Sequence, residues 1–274
     1  MVGTLVSFSM LAVATRELSA DYSAIQILFF RNTVGLAIML PVVAAIGWRR
    51  MRSRNMRLQA VRNVIHLAAS LGWYQGIAVL PLAQVFAIEF TAPFWVALMA
   101  VILLGERMNR GRATALVFGL VGMLIILRPG FGGFSIGSLY VLGAAIGFAG
   151  THIATKRLTA TDTVVMVLFW MVVIQFPISA AAAVFSWSPL GWGMAPWAFV
   201  IGAAGLSAHY CMTRALYLAD ATVVIPLDFM RLPLIAIVGF AVYNEGIDAF
   251  VLIGALVMFA GNYVSIRRER AAET

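Results

Sequence analysis

Charged residues are scarce in this chain of 274 residues. Asp, Glu, Lys and Arg make up 11% of it, and hydrophobic residues make up 62%. A soluble domain carries roughly 25% charged residues, so a fold in water could not cover this much apolar surface. Because open sheet edges do not survive in hydrocarbon, we expect an all-α integral membrane protein.

Cysteine and the common catalytic motifs are also lacking. Cys211 is the single cysteine, which excludes an intrachain disulfide. His66, His152 and His209 lie in three different predicted helices at no ligand spacing, so we predict neither a metal nor a cofactor. There is no GxxxxGK[ST] stretch for ATP, no HExxH and no Ser/His constellation, which argues against an enzyme. The net charge of +8 lies on no soluble domain, so nucleic acid is not an expected partner.

Long apolar runs predict ten transmembrane helices, because about 20 apolar residues cross the hydrocarbon core. The predicted spans are residues 1–15, 24–47, 60–80, 82–104, 111–128, 135–155, 163–186, 194–217, 221–243 and 247–266. Small residues within them, such as Gly143 and Gly147 in a GxxxG pair and Gly122 and Gly254, predict close helix packing.

Basic residues are concentrated on one side of this predicted bundle. The loops after spans two, four and six and the C-terminal tail hold fourteen, whereas the other side holds two, Arg16 and Arg128. The fourteen are Arg49, Arg50, Arg52, Arg54, Arg57, Arg62, Arg107, Arg110, Arg112, Lys156, Arg157, Arg267, Arg268 and Arg270. This bias predicts a bacterial inner-membrane protein with both termini in the cytoplasm.

The two halves of the chain resemble each other. Residues 14–20 match residues 154–160 at an offset of 140, and residues 85–90 match residues 224–229 at an offset of 139. Each half holds five predicted spans, and an odd number means that the second copy enters the membrane inverted. We predict inverted five-helix repeats over residues 1–130 and 134–268, followed by a cytoplasmic tail over residues 269–274.

The order of short motifs resembles the EamA family of the drug/metabolite transporter superfamily. The first half carries Leu80-Pro81-Leu82-Ala83, Thr91-Ala92-Pro93-Phe94, Leu104-Gly105-Glu106-Arg107 and Leu127-Arg128-Pro129-Gly130. The second half carries Tyr217-Leu218-Ala219-Asp220-Ala221, Pro226 and Asn244-Glu245. The resemblance covers essentially the whole chain and implies a ten-helix carrier of metabolites such as amino acids.

Ionisable groups within the spans are candidate site residues, because burying a charge in the membrane is costly. Asp228 and Arg231 are three apart on one helix, flanked by Pro226 and Pro233, and form either a substrate clamp or a structural ion pair. Glu89, the repeat-mate of Asp228, precedes Pro93 by four residues. It is either a proton-coupling group or the partner of an arginine on another helix.

A second group of candidates combines one arginine with aromatic and histidine side chains. Arg31 is either a cavity residue or an anchor at the membrane surface. His66 and Trp73 are seven residues apart on one helix face, and Tyr74, His209 and Tyr210 lie nearby in spans three and eight. Aromatic walls suit an organic solute, although plain packing is an equal alternative.

Together these features predict a secondary transporter of a small organic metabolite, either an amino acid-like zwitterion or an organic anion, working by alternating access. The lipid bilayer and the metabolite are the expected partners; coupling to protons and a homodimer are left open. A non-transporting scaffold or sensor subunit is the main alternative, and an intramembrane enzyme is a weaker one.

Overall fold

A computed structural model of the chain describes residues 1–104, 110–128, 135–218, 224, 231–246 and 248–273. Within these ranges the chain is helical and contains no strand. The helices of the first half are α1 (Val2–Leu18), α2 (Ala24–Ile46), α3 (Met56–Val79), α4 (Leu82–Glu89), α5 (Ala92–Leu104) and α6 (Arg110–Leu127). Those of the second half are α7 (Ile136–Leu158), α8 (Val164–Ala183), α9 (Ala195–Leu218), α10 (Arg231–Tyr243) and α11 (Ala249–Glu273).

Three segments of the described chain are long and apolar enough to cross a bilayer: Ala24–Ile46, Ile136–Leu158 and Val164–Ser186. Shorter apolar helices cover Leu82–Val96, Val117–Leu127, Arg231–Tyr243 and Ala249–Gly261. The predicted all-helical class is therefore confirmed, and the count of ten spans stays a prediction.

Local sequence explains where several helices begin and end. Ser135 and Thr163 each cap a helix, because their side chains accept a hydrogen bond from the backbone N–H three residues later. Gly47, with φ of 104°, ends α2, since glycine adopts this conformation without a Cβ clash. Asn244, with φ of 52°, ends the α10 region, and asparagine tolerates left-handed backbone better than most residues.

The helices run between two opposite ends of the bundle, and each end is marked by polar contacts. At the first, which we call the Glu245 end, Glu245 and Asp248 contact Arg16 and Arg128 in two ion pairs. At the second, the Asp162 end, the Asp162 carboxylate accepts hydrogen bonds from the side chains of Ser53 and Gln59. Helix α1 ends at the Glu245 end, whereas α7 ends at the Asp162 end, so these two helices run in opposite directions.

Helix contacts between the halves follow a reciprocal pattern. The first helix of each half packs against the third helix of the other, which gives the pairs α1 with α9 and α7 with α3. The second helices, α2 and α8, pack together, and so do the last helices, α6 and α11. Most of the core therefore lies between the halves and not within either one.

Glu245 joins the two halves at the start of α4. Its Oε1 lies 2.9 Å from Arg16 Nη2, and its Oε2 accepts a hydrogen bond of 2.7 Å from the backbone N–H of Leu82. Pro81, the residue before α4, provides no side-chain cap. The carboxylate thus satisfies a helix-start donor that would otherwise have no partner in its own helix.

Helices α6 and α11 approach so closely that their backbones touch. A Cβ at Gly122 would lie 2.6 Å from the Gly254 carbonyl oxygen, and one at Gly254 would lie 2.7 Å from the Gly122 carbonyl oxygen. In the GxxxG pair of α7, a Cβ at Gly147 would lie 2.8 Å from Ala69 Cβ, whereas Gly143 has no described atom within 4 Å. Close packing therefore uses Gly147 and not Gly143.

We expect Gly122→Ala to destabilise the folded protein by about 1–3 kcal/mol, because the new methyl group meets backbone that cannot rotate away. Gly143→Ala is the matched control, and it should leave stability unchanged or raise it, since alanine favours a helix. Thermal unfolding of both variants in detergent, followed by tryptophan fluorescence, measures the difference. Equal melting temperatures for the two variants would contradict the close α6–α11 contact.

Candidate functional site

One face of α3 carries a row of polar and aromatic side chains. Arg62, His66, Ser70, Trp73 and Tyr74 are three or four residues apart or adjacent, so an α-helix presents them on the same side. All five are buried, with 1–3% of each residue exposed. The helix turns this face toward the centre of the bundle.

A cavity lies against this face. Its described lining comes from α1, α2, α3, α4, α7 and α9, and includes Arg31, Glu89, His152 and His209. The volume of the cavity is about 50 Å³. This is several times the roughly 10–15 Å³ that one water molecule needs. The cavity therefore admits water, and a metabolite of ordinary size requires it to widen.

Glu89 and Arg231 form an ion pair between the halves. Arg231 Nη2 lies 2.8 Å from Glu89 Oε1, and the indole N–H of Trp73 donates a hydrogen bond of 2.7 Å to Glu89 Oε2. The Arg231 side chain is 1% exposed and its guanidinium lies over the rings of Phe8 and Phe86, 4.5 and 4.7 Å from their centroids. The structure shows Glu89 in contact with an arginine of another helix, and its role in proton coupling stays a prediction.

The helix that carries Glu89 is interrupted directly after it. Helix α4 ends at Glu89, the chain turns at Phe90 and Thr91, and α5 begins at Ala92. Pro93 explains the break, because its ring clashes with the carbonyl group four residues earlier, which is that of Glu89. The interruption places the Glu89 carboxylate and α10, which begins with Arg231, beside each other.

Arg31 is held by uncharged groups. Its guanidinium donates hydrogen bonds of 2.6 Å to Gln175 Oε1, 3.3 Å to Asn32 Oδ1 and 3.3 Å to Ser70 Oγ. The residue is 5% exposed, and its guanidinium carbon lies 5.9 Å from the centroid of the Tyr74 ring. Arg31 is therefore a cavity residue and not a surface anchor.

Arg62 corrects a prediction made from the sequence. It was counted among the basic residues of a cytoplasmic loop, but it lies inside α3, 2% exposed, and lines the cavity. Its Nε donates to Thr155 Oγ1 at 3.1 Å and its Nη1 donates to Asn63 Oδ1 at 2.6 Å. Hydropathy alone does not separate such a residue from a loop arginine; its position four residues before His66 on one helix face is the signal that was missed.

The histidines lie around the cavity without forming a metal site. The rings of His66 and His209 meet edge to face, with centroids 4.7 Å apart, and His152 lies on the α7 wall. Among the described residues no group of three or more His, Cys, Asp or Glu side chains is placed to hold a metal ion. Gln175 and Asn63, which the sequence did not single out, connect these side chains to the arginines.

The remaining candidates lie apart from the cavity or outside the described residues. Tyr210 is 47% exposed on α9 and is not part of the described lining. Pro233 is exposed within the first turn of α10. Asp228 and Pro226 lie outside the described residues. Roles for all of the candidate residues remain predictions.

Comparison with known proteins shows to which family the chain belongs. The model of the EamA-like transporter family matches residues 1–128 and again residues 135–267. The chain belongs to the EamA-like transporter family. This membership confirms the resemblance of the short motifs, and the two matched segments correspond to the two halves of the sequence.

Relatives of this EamA-like chain are named as transporters of different small molecules. An S-adenosylmethionine uptake transporter of Rickettsia bellii is 26% identical, over 98% of this chain and 92% of its own length. A riboflavin transporter of Brucella anthropi is 28% identical over 98% of both chains. A pseudopaline exporter of Pseudomonas aeruginosa is 25% identical over 92% of this chain and 89% of its own. They support transport of a small metabolite without specifying which.

One solved crystal structure has the same fold. It covers 100% of this chain and 97% of its own, with a TM-score of 0.72 and 17% sequence identity. At this identity the similarity concerns the fold alone.

The Glu89–Arg231 contact should appear as coupling in a double-mutant cycle. We expect Glu89→Gln, Arg231→Gln and the double variant to give a coupling energy of about 0.5–3 kcal/mol, because the pair is buried. The same cycle on Arg128 and Asp248, whose side chains are 29% and 36% exposed, should give about 0–1 kcal/mol. Unfolding titrations in mixed micelles measure both. A coupling at Glu89 no larger than the control would contradict an ion pair that joins the halves.

Proposed function

We propose that this protein is a secondary transporter that moves a small organic metabolite across the bacterial inner membrane by alternating access. The observation that carries the proposal is the central cavity, whose walls come from both halves and which is lined by Glu89, the ion-pair partner of Arg231. Buried charges within a membrane bundle commonly mark the path of a solute or a proton. A passive scaffold would not need them.

The proposed architecture is a pair of inverted five-helix repeats over residues 1–130 and 134–268, with a tail over residues 269–274. Three observations support it. Helices α1 and α7 run in opposite directions, and the contacts between the halves are reciprocal. The family model matches the two halves separately, over residues 1–128 and 135–267. Inverted repeats allow one site to open alternately to the two sides of a membrane.

The energy for transport would come from a gradient. The chain contains no motif for binding ATP. Glu89 is the proposed proton-coupling group, because protonation would release Arg231 from its carboxylate and weaken the link between the halves. The break after Glu89 supports such a role, since irregular backbone at membrane depth is tolerated where it lines a cavity.

Uptake into proteoliposomes tests the transport function. The purified protein should accumulate at least one member of a labelled metabolite panel, including S-adenosylmethionine and riboflavin, under an imposed proton gradient. Glu89→Gln should reduce that gradient-driven uptake by about tenfold or more if Glu89 carries the proton. Asp21→Asn, which makes the same chemical change at an exposed residue, is the control and should transport normally. Folded protein that moves no compound would favour a scaffold or sensor, and conversion of a compound without its movement would favour an enzyme.

Fusions at the C-terminus test the proposed orientation. Because basic residues concentrate at the Asp162 end, we expect that end to face the cytoplasm. Green fluorescent protein fused after Thr274 should fluoresce, and alkaline phosphatase at the same position should be inactive. Alkaline phosphatase fused within the α8–α9 connection, at residue 190, is the matched control and should be active. The reverse result at both positions would overturn the orientation.

A further inference from the structure

Two buried arginine side chains line the described cavity. Arg31 is 5% exposed and Arg62 is 2% exposed. Each donates hydrogen bonds to amide and hydroxyl oxygens. Neither contacts a carboxylate among the described residues. Because a buried charge is costly unless an opposite charge meets it, two such guanidinium groups in one cavity favour an anion there.

Gln175 fixes the hydrogen-bonding state of His66. A guanidinium group only donates, so the Gln175 atom 2.6 Å from Arg31 must be the oxygen. The amide nitrogen then donates to the Asn63 carbonyl at 3.2 Å and to His66 Nδ1 at 3.0 Å. His66 Nδ1 is therefore an acceptor, and the ring proton resides on Nε2.

The Nε2–H group of His66 is a third donor at the cavity. His66 is 1% exposed and lines the cavity, and its Nε2 has no hydrogen-bond partner among the described residues. Arg62 contributes similarly, since its hydrogen bonds use Nε and Nη1, and no described residue accepts one from Nη2. A buried donor without a partner is unfavourable, so an acceptor in the cavity would stabilise the Nε2–H group of His66 and could also bind to Nη2 of Arg62.

The one described carboxylate that lines the cavity is already engaged. Glu89 Oε1 contacts Arg231 and Glu89 Oε2 accepts from Trp73. It is therefore poorly placed to receive an ammonium group of a solute. The aromatic rings of Trp73, Tyr74 and Phe148 form apolar walls beside the donors and suit an organic body.

From this arrangement we infer that the transported solute is an organic anion whose carboxylate or phosphate oxygens bind to Arg31, Arg62 and His66. The inference rests on the proposed transport function and selects the anion over the zwitterion and the cation. A guanidinium group binds either kind of oxyanion, so the experiment must distinguish them.

The test uses the full-length protein and chemically matched compounds. Thermal stabilisation in detergent and counterflow in proteoliposomes are measured for carboxylates beside their amides, such as succinate with succinamide and benzoate with benzamide. Organic phosphates beside their parent alcohols form a second arm. Choline represents a cation without an acidic group, riboflavin represents a neutral solute, and S-adenosylmethionine combines a carboxylate with a net positive charge. A compound bound by the native state raises its melting temperature. We expect acids to bind about 10-fold to 100-fold more tightly than their neutral partners.

Variants show whether the arginines act on the solute or on the fold. Arg62→Gln should abolish the stabilisation by the acid while leaving the melting temperature of the ligand-free protein unchanged or raised, because a buried charge is removed. Arg62→Lys keeps the charge and should retain part of the binding. Arg214→Gln removes an arginine that stacks on Tyr217 outside the cavity lining and should bind like the wild type.

The outcomes separate this inference from the transport function. Selective movement of acids, lost in Arg62→Gln and kept in Arg214→Gln, supports the inference. Movement of neutral or cationic compounds only would overturn it and leave transport intact. A folded protein that moves no compound of any class would overturn the proposed transport function and the inference with it.

Discussion

The dominant constraint on this structure is that a charge inside an apolar bundle must meet a partner. Glu89 and Arg231 satisfy it for each other, and they do so from opposite halves of the chain. Pro93 interrupts the helix directly after Glu89, so the carboxylate stands at a break and not within regular helix. The ion pair therefore joins the halves at an interruption of regular helix, beside the cavity.

The same constraint shapes the surroundings of Arg31 and Arg62. Amides and hydroxyls take the place of carboxylates around them, and Gln175 and Asn63 connect the two arginines through one network. Because every bond in this network has a defined donor, the network also sets the proton of His66. The fold thus orders three donors around one space before any solute arrives.

The sequence predicts the helices well because apolar runs of about 20 residues alternate with short polar breaks. It predicts the family from weak motifs in a specific order, and it selects Arg31, His66, Trp73, Tyr74 and His209, which the structure brings to one cavity.

The sequence misses Arg62, because an arginine two turns inside a helix has the same local composition as a loop arginine. It misses Gln175 and Asn63 because their importance depends on what they contact across the bundle, which no local pattern records. Tyr210 follows His209 directly, and a one-residue step along a helix turns it to the exposed side.

The contact of Glu245 with Leu82 has a consequence for biosynthesis. Helix α4 has only eight residues, which is too short to be stable alone, and its first N–H group is bound by a carboxylate 163 residues later in the chain. When the first half leaves the ribosome, that carboxylate has not yet been made. We therefore expect the first turn of α4 to be completed only after the α10–α11 connection is inserted and docks. Because the halves also pack mainly against each other, we expect them to fold as one unit, in which a late segment of the chain completes a helix of the first half.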